Sequence, residues 1–134
     1  MPKPIYIGVD PGVKTGMAVW DKKFLEITSD TITKCMTSVL AYHEKFKIKV
    51  IIEDARQRKK FGDNAQFKQQ GAGSIKRDCK IWEDFCNEEG IDALFIHPMK
   101  GGTKMKQEPF KNLTGWKHLT NEHGRDAAML VFGR

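Results

Sequence analysis

The sequence predicts an α/β fold: a mixed five-stranded sheet with helices on both faces, in the order β-β-β-α-β-α-β-α. Three observations carry this. The first thirty or so residues alternate apolar and polar over short segments separated by turn chemistry. Further on, two short apolar runs are flanked by segments whose apolar residues recur every three or four positions. The length, 134 residues, suits one compact domain over 1–134 with a single core.

In order, Ile5–Asp10 reads as a strand, with Ile5, Ile7 and Val9 on one face and Tyr6, Gly8 and Asp10 on the other. Pro11-Gly12 is a turn, and Gly16–Trp20 reads as the returning strand of a hairpin. Phe24–Thr31 follows as a third strand after Asp21-Lys22-Lys23. Met36, Val39, Leu40 and His43 have helical spacing, so Thr33 to about Phe46 is expected to be a helix packed by one face. Lys49–Glu53, with Val-Ile-Ile between charges, has the pattern of a buried central strand. Asn64–Glu88 is the longest helical segment. It contains Gly71 and Gly73, which imply either a close approach to the sheet or a broken helix start. Ala93–His97 is a last strand, stopped by Pro98, and residues 98–116 read as irregular. Thr120 or Asn121 caps a final helix reaching about Phe132.

Composition narrows the function classes. No run approaches the roughly 20 apolar residues that span a bilayer, and the N-terminus lacks the layout of a signal peptide, so a cytoplasmic protein without a membrane partner is expected. Cys35, Cys79 and Cys86 show no metal-ligand spacing and read as small apolar groups in a reducing compartment. The net charge of +6 favours a polyanionic partner. The cations gather in two stretches that read as loops: Arg56, Arg58, Lys59 and Lys60, and then Lys100, Lys104, Lys106, Lys111 and Lys117. These are the candidate phosphate contacts.

Three acids stand beside apolar runs, where a carboxylate is costly without a cation. Asp10 ends the first strand, Glu53 ends the fourth, and Asp126 precedes Ala-Ala-Met-Leu-Val-Phe in the last helix. If the first and fourth strands are neighbours and the last helix crosses them, the three converge. Hard oxygen ligands of that kind select Mg²⁺, with Mn²⁺ able to substitute. His123 lies three residues before Asp126, on the same helix face, as a further ligand or a general base.

These segments resemble one family. Ile7-Gly8-Val9-Asp10-Pro11-Gly12 with Thr15-Gly16-Met17-Ala18-Val19 resembles the first-strand motif of the RuvC-like Holliday junction resolvases. Val50-Ile51-Ile52-Glu53, Gln69-Gln70-Gly71-Ala72-Gly73, Thr114-Gly115 and His123-Gly124-Arg125-Asp126-Ala127-Ala128 are similar to its later motifs, in order. The resemblance implies an RNase H-like fold, a catalytic and metal-binding set of Asp10, Glu53, His123 and Asp126, and two metal ions per site. It also implies a homodimer that cuts four-way DNA junctions without a nucleotide cofactor. The short chain resembles bacteriophage versions, which accept varied branched DNA. The aromatic residue that would open the junction is displaced here, with Phe61 the candidate. A YqgF-like relative acting on RNA shares the fold and stays open as an alternative, as does a non-catalytic nucleic-acid-binding domain.

Overall fold

The computed structural model describes residues 3–57, 65–98 and 105–134. Its elements are β1 (Ile5–Asp10), β2 (Thr15–Trp20), β3 (Phe24–Asp30), α1 (Ile32–Lys45), β4 (Ile48–Glu53), a single 3₁₀ turn (Ala55–Gln57), α2 (Ala65–Glu89), β5 (Ala93–Ile96), α3 (Gln107–Thr114) and α4 (Glu122–Val131). The strands form one five-stranded sheet in the order β3-β2-β1-β4-β5. β1 pairs antiparallel with β2 and parallel with β4, β2 pairs antiparallel with β3, and β4 pairs parallel with β5. The sheet is therefore mixed, as the hairpin followed by crossover helices requires.

Strand alternation sorts the core into two clusters. Ile5, Ile7 and Val9 share one face with Met17, Val19, Val50 and Ile52. They pack against Cys35 and Val39 of α1 and Trp82 and Cys86 of α2. The opposite face presents Ala18 and Ile51, which meet Phe110 of α3 and Ala127, Ala128, Leu130 and Val131 of α4. Both faces of the central strands are covered, which is why Val50-Ile51-Ile52 is a continuous apolar run. All three cysteines are buried and unpaired. Burial pushes the Cys35 and Cys86 thiols up to about 11, so they serve as packing groups rather than nucleophiles.

The close approach of α4 to the sheet depends on two glycines. A Cβ on Gly8 would overlap the carbonyl oxygen of Ala127, and a Cβ on Gly16 would overlap that of His123. Gly8 pairs with Ala18, and Asp10 pairs with Gly16. The hairpin therefore presents a trough of small residues into which the helix settles at backbone distance.

Two expectations need correction. Residues 98–116 are not wholly irregular, because α3 occupies Gln107–Thr114. The residues that suggested a loop are the helix's own signals. Pro109 sits in the first turn, where its missing N–H costs nothing, and Gly115 ends the helix in the left-handed conformation at φ 76°. The glycines of α2 also behave differently than expected. The helix runs unbroken through Gly71 and Gly73, and a Cβ at Gly73 would meet nothing within 4 Å. Close packing therefore does not explain Gly73. Gly73→Ala is expected to stabilise the fold by about 0.5–1 kcal/mol, measured as a higher urea midpoint at unchanged slope.

Candidate acidic site at the sheet end

The register of β1 and β4 creates the site. Val9 pairs with Ile52, so Asp10 and Glu53 are the next residues of two adjacent parallel strands and leave the sheet side by side. Alternation puts both on the face covered by α4, since Asp10 continues the series Tyr6, Gly8 and Glu53 continues Lys49, Ile51. Neighbouring strands are about 4.8 Å apart, so two carboxylates share a narrow space.

Helix α4 delivers the remaining members. Asn121 caps its first turn, its side chain accepting from the N–H of Gly124 at 2.9 Å. That first turn crosses Gly16, the residue paired with Asp10. His123 is thereby brought to Asp10, with Nδ1 3.6 Å from Oδ2, and the Asp10 side chain is only 16% exposed. Asp126 follows three residues later on the same side of the helix and is half-buried. The four predicted residues thus share one end and one face of the sheet. Among the described residues, however, no three His, Cys, Asp or Glu side chains are grouped closely enough to hold a metal ion. The elements place the donors at one corner without closing them into a ligand cage. The donor chemistry itself, hard carboxylate oxygens beside one imidazole, suits Mg²⁺ or Mn²⁺.

The predicted basic contacts divide. Arg58, Lys59, Lys60, Phe61, Lys100 and Lys104 lie outside the described residues. Lys106, Lys111 and Lys117 are exposed around α3 and the loop before α4. Arg56 is already engaged. Its Nε donates to Asp54 Oδ1 at 2.8 Å and its Nη2 to Asp54 Oδ2 at 3.1 Å, while Nη1 and Nη2 both reach Glu83 of α2 at 3.3 Å. The guanidinium also lies over the Phe95 ring, 5.4 Å from its centroid. This network directly follows Glu53 and fastens the exit of β4 to α2. Nothing local in the sequence signals it: an acid just after a strand end is usually solvated, yet Asp54 is only 5% exposed.

Burial alone would raise the Asp54 pKa, but hydrogen bonds from Arg56 and Gln57 outweigh it and hold the carboxyl below the usual range. A depressed carboxyl contributes stability above its unfolded value of about 3.9 and loses it as pH falls through the folded value. Arg56→Met strands the Asp54 carboxylate and is expected to cost about 2–3 kcal/mol at pH 7. Because protonation removes the charge of the stranded Asp54, the stability gap to the wild type should narrow as pH falls through the carboxylate range. Circular dichroism against urea and against pH checks both effects.

No family model matches the sequence, and no curated protein matches it either. Among solved structures, the chain is similar to T. thermophilus RuvC in complex with Holliday junction substrate, at a TM-score of 0.61 and 15% identity over 94% of this chain and 89% of that one. At that identity the likeness establishes the fold, a RuvC/RNase H-like α/β sheet.

Proposed function

We propose that this chain is a metal-dependent endonuclease of branched DNA, with four-way junctions as its main substrate and Asp10, Glu53, His123 and Asp126 as its catalytic set. One observation carries the reading. Asp10 and Glu53 end adjacent parallel strands on the face that α4 crosses, and α4 brings His123 to 3.6 Å from Asp10. A protein gains no stability by gathering acids beside an apolar core unless they have a task. The solved neighbour, itself in complex with a Holliday junction substrate, supports trying junctions first.

Asp10, Glu53, His123 and Asp126 would hold two Mg²⁺ or Mn²⁺ ions, whose chemistry is to offset charge on the phosphate and its leaving oxygen. Asp10, beside Glu53 and near His123, would contribute a carboxylate ligand to such ions. His123, 3.6 Å from Asp10, would serve either as one of those ligands or as the general base that takes the proton of the attacking water. The exposed Lys106, Lys111 and Lys117 neutralise phosphates with little sequence preference. Cutting two strands of a junction needs two such sites, so two copies of the chain act together.

The test is incubation with synthetic four-way junction, flap, duplex and structured RNA, each with Mg²⁺ or EDTA. Junction cleavage only with Mg²⁺ is the expected result. Cleavage confined to RNA would transfer the site to RNA processing. Binding to all the nucleic acids with no cleavage of any would remove the catalytic reading.

A further inference from the structure

Leu119 is 90% exposed, the most exposed of the large apolar side chains among the described residues. A single exposed leucine on a loose loop needs no explanation, but this loop is fastened on both sides of it. Gln107 of α3 donates from Nε2 to the carbonyl of His118 at 3.4 Å, and its Oε1 accepts from the Thr120 N–H at 3.0 Å and from the Thr120 hydroxyl. Arg125 of α4 then donates to the Thr120 carbonyl at 2.7 Å and to the Met105 carbonyl at 2.8 Å. Thus one glutamine and one arginine fix the residues flanking Leu119 and leave its side chain projecting into solvent. Fixing a backbone in advance lowers the entropy lost when its tip binds.

The position of this tip is informative. Leu119 stands two residues before Asn121, the cap of α4, and four before His123, which faces Asp10. Four residues span at most about 14 Å of chain. Leu119 is therefore within reach, over a few nucleotides at about 3.4 Å per step, of a strand whose phosphate sits at Asp10. Lys117, exposed two residues earlier on the same loop, supplies the charge that attracts that backbone. An apolar tip beside a phosphate-binding cation matches a nucleotide, which offers an anionic edge and an apolar base face.

We propose that Leu119 is a base-contacting prong, packing against an unstacked nucleobase close to the phosphate held at the acidic site. The inference rests on the nuclease reading and adds a specificity residue to it. Stacking must be broken to expose a base face, and a branch point interrupts the continuous stack that duplex keeps, so the prong would favour branched over linear DNA.

The experiment uses a four-way junction carrying 2-aminopurine at positions flanking the branch point, with Ca²⁺ in place of Mg²⁺ so that binding is read without cleavage. The wild-type chain should change the fluorescence at one or more of these positions. Leu119→Ser should lose that change and weaken junction binding about tenfold, with duplex binding and the urea midpoint unaltered. Leu119→Met should restore both readouts. Leu25→Ser, at an exposed apolar position on the edge strand β3, should behave as wild type. Wild-type junction affinity and fluorescence in Leu119→Ser would overturn the prong alone. Failure of the wild-type chain to bind any junction would overturn the nuclease reading and the prong with it.

Discussion

If the proposed nuclease reading holds, Asp10→Asn is expected to lower junction cleavage by more than about 100-fold in a chain that still folds and still binds DNA. Even outer partners that merely orient metal ligands are worth 10–100-fold in many sites, and Asp10 stands beside Glu53 in the β1–β4 register and 3.6 Å from His123. Asparagine keeps the shape and the hydrogen-bonding capacity of the side chain, so packing beside Gly16 is preserved. It removes one negative charge from a half-buried corner that also receives Glu53. The change relieves repulsion in the free protein, so the urea midpoint should stay level or rise. The same loss of charge makes the corner less hostile to a phosphate, and affinity for the junction in Ca²⁺ should hold or increase. Single-turnover cleavage in Mg²⁺, alongside gel-shift titration in Ca²⁺, separates the two effects. Wild-type cleavage by Asp10→Asn would take Asp10 out of the chemistry, while joint loss of binding and folding would mark it as a structural residue.

The parts of this molecule that were legible in the sequence are those fixed by strand period and turn chemistry. Ile5–Asp10 alternates strictly, so the face of Asp10 follows from the faces of Ile7 and Val9. The run Val50-Ile51-Ile52 has the pattern of a strand covered on both sides, and Glu53 at its end then falls beside Asp10. What was not legible depends on contacts distant in sequence. Pro109 and Gly115 punctuate loops and helix ends alike, and only the burial of Phe110 under the sheet decides for a helix. Arg56 looks like a free cation in a basic run until Glu83, 27 residues away, closes on it. Leu119 carries no local signal, because its significance comes from Gln107 and Arg125 holding its neighbours. Closure of the four site residues around a metal is a side-chain matter that strand register does not determine.

Gly8→Ala has the largest expected effect on stability, although it adds one methyl group. Small-to-large changes in a packed core cost about 1–3 kcal/mol when side chains can shift aside. Here the obstacle is backbone: the new Cβ would overlap the Ala127 carbonyl oxygen and lie 3.1 Å from its carbon and 3.3 Å from Val131 Cγ1. No rotamer relieves that. Helix α4 must lift, and Ala127, Ala128 and Val131, all 0% exposed, must give up contact together. A loss of about 3 kcal/mol or more is expected, read from urea denaturation. Gly16→Ala acts on the same helix at another place. Its methyl would meet the His123 carbonyl, in the first turn of α4, where a frayed end yields more readily than the middle. It should cost less stability but separate His123 from Asp10, so cleavage falls further than folding does. One substitution type therefore has three outcomes: a gain at Gly73, where the added methyl meets open space, a displaced site at Gly16, and a failing core at Gly8. Equal stability of Gly8→Ala and wild type would mean that α4 does not dock on the hairpin at backbone distance, and the corner where Asp10 meets His123 would lose its support.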